Sequence, residues 1–184
     1  GVGCPLMGMA HSFEECNTWP GLRPKDGPGG ADDIAKAKAL MAEAGYPDGF
    51  KTRYDVRQVG TYPDQCTVVK ENLKSVLGIT GEMTTYPSAA GYAFFGTSRA
   101  EDSDGDWELA CQGEGQVVLD VDGIMGGVYL KGATRNYTDW SNDKVNDWFD
   151  AQKQEPDPAK RIAINKEMEA FLFTQEDNHW ITLG

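Results

Sequence analysis

The stretch from Lys51 to Tyr86, KTRYDVRQVGTYPDQCTVVKENLKSVLGITGEMTTY, decides the fold. Lys51 to Val59 place Tyr54, Val56 and Gln58 on one side of a strand that Gly60 ends. Pro63 suits the first position of a helix, where its missing N–H would be unpaired anyway. Cys66, Val69, Leu73, Val76 and Leu77 then repeat at helical spacing, Gly78 closes the helix, and a second strand follows from Ile79 to Tyr86. Two strands joined through a helix of that length pair in parallel with a right-handed crossover, so the segment is α/β.

Upstream, a helix is expected over Asp32 to Ala44, with Asp32 or Asp33 as N-cap, Ile34, Ala37, Met41 and Ala44 on one face, and Gly45 as its stop before Pro47. Residues 1–31 are rich in Gly and Pro and read as an irregular connection; residues 32–184 read as one α/β domain. Downstream, a short helix is expected through Tyr92, Phe94 and Phe95, then the acidic loop Glu101 to Asp106 and a third strand from Trp107 to Gln112. Helices follow near Asp122 to Leu130, over Ser141 to Lys153, and after Asp157-Pro158, the last with Ile164, Met168, Phe171 and Leu172 as its apolar stripe. His179 to Leu183 reads as a final strand, giving a mixed sheet flanked by helices.

The 184 residues carry 40% hydrophobic and 25% charged side chains, the balance of a globular chain. A formal net charge of -12 repels phosphate backbones and anionic lipid, so neither nucleic acid nor a membrane surface is an expected partner. Such a surface serves solubility as well as it attracts a cationic ligand. No apolar run is long enough to insert in a bilayer, and no signal peptide is present in the sequence.

Cys4, Cys16, Cys66 and Cys111 lack the C-x-x-C spacing of a zinc or redox site. Cys4 and Cys16 flank a loop and can bridge in an oxidising compartment or stay as thiols; Cys66 and Cys111 read as core positions. Asp102, Asp104 and Asp106 have the opening spacing of a calcium loop, but Trp107 and Gly113 stand where Gly and Glu are needed. Gly113 to Val118 lacks the third glycine of a dinucleotide fingerprint. His11 and His179 have no second ligand at helical spacing, and no serine sits in a nucleophile elbow. No catalytic residue, metal or cofactor is expected, and the chain does not read as an enzyme.

Several ordered stretches resemble the family 5 extracellular solute-binding proteins of ABC importers, the peptide and nickel type. Asp33 to Phe50 (DIAKAKALMAEAGYPDGF) is similar to a family helix ending in E-A-G-Y-P-D-G-F, and Val69 to Thr80 to one ending in leucine, glycine and isoleucine. Asp106 to Ala110, Asp120-Val121-Asp122, Asn136 to Asp147, and Asp157 to Leu172 with Arg161 continue the series. The resemblance implies the C-terminal lobe of a type II periplasmic-binding-protein-like fold, here as a fragment of a longer protein. It implies a periplasmic or extracytoplasmic monomer that captures a small solute such as a peptide in a cleft and delivers it to permease subunits. A scaffold or sensory domain of the same fold is the alternative.

A binding wall of this kind is built from polar and aromatic side chains in loops after strands. Gln112, Glu114 and Gln116, interleaved with Gly113 and Gly115, form the first candidate group. Asp120 lies in the resembling Asp-Val-Asp, and Tyr137 and Trp140 lie in a loop that faces the cleft in the family, although core packing is the simpler role for both. Where peptide-binding relatives carry G-W-x-x-D, this chain has Gly113, Glu114 and Val117, so the aspartate that holds a ligand's amino terminus is missing.

Overall fold

The computed structural model describes residues 6, 9–99, 107–113, 118 and 120–174. In chain order the helices and strands are α1 (Phe13–Cys16), α2 (Gly30–Glu43), β1 (Lys51–Gln58), α3 (Tyr62–Leu77), β2 (Thr80–Pro87), α4 (Ser88–Phe95), β3 (Leu109–Cys111), α5 (Val121–Ile124), α6 (Asp143–Gln154) and α7 (Pro158–Thr174). A 3-10 turn follows α4 over Gly96–Arg99, and a turn of π-helix, Met125–Tyr129, follows α5. The expected elements are present with ends shifted by one to a few residues. The expected strand at His179 to Leu183 and the acidic loop Glu101 to Asp106 lie outside the described residues.

The chain forms two compact units, one of Ala31–Glu114 and one of Gly1–Gly30 with Gly115–Gly184. In the first, three parallel strands stand in the order β2-β1-β3. Gly78 stops α3 with φ of 71°, and the Ile79 N–H donates back to the Leu73 carbonyl, the closure a left-handed residue permits. The sense of the connections reverses at β1: β2 pairs on one side and β3 on the other, all in parallel. Right-handed crossovers then put α3 and α4 on opposite faces of the sheet, and the side-chain contacts agree. Tyr54 and Val56 pack with Cys66, Tyr62 and Leu73 of α3, whereas Arg57 packs against Gly91 of α4.

Covered on both faces, β1 buries four successive residues, Tyr54, Asp55, Val56 and Arg57. Cys66 of α3 and Cys111 of β3 are joined by a disulfide. Each read singly as a core position; the sequence did not show that β3 pairs beside β1, against which α3 packs, so that the two sulfurs meet. Cys16 is also disulfide-bonded, and Cys4, its expected partner, lies outside the described residues. The apolar face expected of α2 is only half-covered at Ile34, Ala37 and Met41.

The second unit is helical. Val121, Ile124, Met125, Val128 and Tyr129 pack with Val145 and Phe149 of α6 and Met168 and Leu172 of α7. Leu6 and Ala10 join this core, so the start of the chain, which read as an irregular connection, contributes to it. The fully buried Glu169 holds that segment, accepting hydrogen bonds from the backbone N–H groups of Leu6 and His11, 2.9 Å each, with His11 Nδ1 also at 2.9 Å.

Candidate functional site

Open parallel sheets leave room for a ligand beyond the carboxyl ends of their strands, at the point where strand order reverses. Here that point is the junction of β1 with β3. Gln112, the first residue after β3, is there as expected. Tyr62, which opens α3, donates from Oη to the Gly113 carbonyl at 3.2 Å, and a Cβ on Gly113 would come within 2.5 Å of that hydroxyl. Gly113 is therefore required for α3 and the strand end to approach so closely.

The group that Gln112 meets is the guanidinium of Arg57, near the end of β1 and only 5% exposed. Arg57 Nη1 donates to Gln112 Oε1 at 3.5 Å, and Nη2 donates to Ser88 Oγ, just past β2, at 3.3 Å. The ends of all three strands thus converge on one cation. Its ring neighbours are Tyr92, with the centroid 3.7 Å from Cζ, and Tyr62 at 5.6 Å. Both hydrogen bonds are long and go to neutral oxygens, and Nε is buried with no acceptor. Among the described residues no carboxylate pairs with Arg57.

On the rest of that strand face the carboxylate is paired, although Arg53 Nη2 is buried with no acceptor. Asp55, fully buried, accepts from Arg53 Nε and from Tyr86 Oη, 2.9 Å each. The Asp55 carboxylate raises the Arg53 pKa, and burial followed by the Asp55 bond raises that of Tyr86. Arg57 was missed by a reading that looked for polar residues in loops. Its signal is readable only with the strand order: Arg53, Asp55 and Arg57 alternate in a strand that proves central, where a buried charge needs a reason.

Glu114 and Gln116 lie outside the described residues. The other three expected residues belong to the helical unit. Asp120 caps α5 by accepting from the Asp122 N–H at 3.1 Å, and it binds Arg161 through both oxygens, at 2.6 and 3.0 Å. Arg161 Nε donates to Gln152 Oε1 at 2.8 Å, and Gln152 Nε2 donates to Asp122 Oδ1 at 2.9 Å. The Arg161 hydrogen bonds hold the Asp120 carboxyl below its usual range. Tyr137 is buried, and Trp140 packs on the helical core with its carbonyl accepting from Asn136 Nδ2 at 2.6 Å. Among the described residues no cluster of His, Cys, Asp and Glu is arranged to hold a metal ion, and no helix is long and apolar enough to cross a membrane.

Residues 10–162 match the profile described as bacterial extracellular solute-binding proteins, family 5 Middle. The chain belongs to this family. Family 5 proteins are non-enzymatic binding components of ABC importers and work outside the cytoplasm. Among solved structures, the family 5 chain is similar to OppA of Haemophilus influenzae in complex with the peptide RPPGFSPFR, with TM-score 0.71, 13% identity, and coverage of 92% of this chain and 30% of that one. It is similar to DppA of Helicobacter pylori in complex with the peptide STSA, with TM-score 0.66, 22% identity, and coverage of 81% and 28%. NikA of Staphylococcus aureus in complex with Ni(L-His)2 gives TM-score 0.62, 18% identity, and coverage of 75% and 29%. At these identities the likeness establishes the fold, and the chain spans less than a third of the length of each. No curated protein matches it.

Proposed function

We propose that this chain is part of the binding lobe of an ABC importer's solute receptor, which captures a small solute such as a peptide outside the cytoplasm and presents it to the permease. No bond is made or broken in that task, so the protein is not an enzyme. The observation that supports this reading most is the convergence of Gln112, Arg57 and Ser88 at the carboxyl ends of three parallel strands, in a chain of the solute-binding family. Glu114, Gln116, Asp120, Tyr137 and Trp140 enter the proposal as ligand contacts on the sequence resemblance alone. Asp120 would act with oxygens that already accept from Arg161, so it is the weakest acceptor of the set.

Native mass spectrometry of the full-length protein purified from its own host tests the proposal. A co-purified small molecule or peptide is the expected result. A protein partner on an otherwise empty receptor would instead identify a scaffold or sensory domain of the same fold.

A further inference from the structure

We propose that the first turns of α3 clamp the candidate ligand loop onto the sheet, and that the Cys66–Cys111 disulfide makes this clamp redox-sensitive, so that a dithiol reductant releases the loop and weakens solute capture. The proposal rests on the solute-binding reading above. β1 and β2 pair along their full eight residues, from Lys51 with Thr80 to Gln58 with Pro87. β3 pairs with β1 over three, Tyr54 with Leu109, Asp55 with Ala110 and Val56 with Cys111, and among the described residues it has no second neighbour. So short a ladder at the edge of a sheet opens at low cost. The covalent link sits at this weak seam: Cys111 is the last residue of β3, and Gln112 is the next in the chain.

Two residues of α3 grip the strand end. Tyr62 and Cys66 are one helical turn apart on the same face, and both belong to the cluster around Tyr54 and Val56. Cys66 fixes Cys111 covalently, and Tyr62 Oη holds the Gly113 carbonyl at 3.2 Å, so Gln112 is secured on both sides. Gln112 Oε1 in turn accepts from Arg57 at 3.5 Å, a length that a small shift of the strand end would break. Cys66 is 1% exposed whereas Cys111 is only partly buried, so a thiolate approaches from the Cys111 side. Attack on Cys111 Sγ breaks the S–S bond, and Cys66 leaves as a thiolate that takes up a proton. The second thiol of the reductant then displaces Cys111 from the mixed disulfide, leaving two cysteine thiols and an oxidised reductant, with two electrons and two protons transferred. The loop then depends on the Tyr62 bond and the three-residue ladder.

Hydrogen exchange read by mass spectrometry on the ligand-free full-length protein, before and after dithiothreitol, tests the clamp. Exchange over residues 107–113 should become about tenfold faster on reduction while β2 stays unchanged. No change over 107–113, or the same acceleration throughout the sheet unit, overturns the proposal. Because Cys16 is also disulfide-bonded, the comparison is repeated on the double variant Cys66→Ser, Cys111→Ser, which should match the reduced protein and no longer respond there to dithiothreitol. Tyr62→Phe, which keeps the disulfide, should speed exchange in the same segment by a smaller factor. Capture is read with an equimolar pool of two- to five-residue peptides, counting by mass spectrometry those retained through gel filtration. Retention should fall about tenfold on reduction and return on reoxidation. Should the double variant not fold, the reduction and reoxidation of the unmutated protein still decide. Equal retention in both redox states overturns the proposal while leaving peptide capture intact. Retention in neither state overturns the peptide-binding reading and the proposal with it.

Discussion

Arg161, partly exposed in the helical unit, and Arg57, buried in the sheet unit, are both charged side chains held by the fold, and they end differently. Arg161 donates to Asp120 and Gln152 at 2.6 to 3.0 Å, and Gln152 passes the chain of bonds on to Asp122. Among the described residues Arg57 meets neutral oxygens at 3.3 and 3.5 Å and the faces of two tyrosines. The first network closes on itself, so its energy goes into joining α5, α6 and α7. The second, among the described residues, makes no ion pair and lies at the carboxyl edge of a parallel sheet.

The comparison can be broken first at the disulfide that holds β3, and with it Gln112, beside β1. Its sequence separation of 45 residues gives a chain-entropy stabilisation of about 4 kcal/mol. Cys66→Ala should lower unfolding stability by that order in denaturant titrations. Next, Arg161→Met removes the counter-charge of Asp120 and an acceptor's partner on the fully buried Gln152. With both ion-pair members about a third exposed, a loss of about 2 kcal/mol is expected.

A third effect sharpens the contrast through pH. Asp120 has its folded pKa depressed by Arg161, and Glu15, bonded by the Ser12 N–H and Lys166, is lowered to about 2. A carboxyl depressed on folding stabilises above its unfolded pKa, and that stabilisation is lost as pH falls through the folded value. The helical unit should therefore lose stability below about pH 4, and Asp120→Asn should flatten the curve measured by circular dichroism. Retention of the full acid sensitivity in Asp120→Asn would remove the ion pair from the explanation.

The fold was legible because its signals are local: Pro63 opens α3, Gly78 ends it, and the apolar spacing between them has one reading. The site was legible only in part. Gln112 was found because it follows a strand, whereas Arg57 escaped because its meaning depends on β1 being covered by helices on both faces, which only the strand order reveals. The Cys66–Cys111 bond is hidden for the same reason, as the partners are distant in sequence and near only after the crossover. Asp120 shows the opposite case: an acidic loop residue resembles a ligand contact until Arg161, far along the chain, is seen to hold it.

The smallest expected effect is the most direct test. Arg57→Met exchanges a buried cation without a carboxylate for an apolar side chain of similar length, at the loss of the tyrosine stacking and two long hydrogen bonds. Denaturant unfolding of the ligand-free protein should place this variant within about 1 kcal/mol of the parent, beside a clear loss for Arg161→Met. A loss for Arg57→Met as large as that for Arg161→Met would mean that Arg57 is already paired within the fold, and the contrast between a closed and an open network would be wrong.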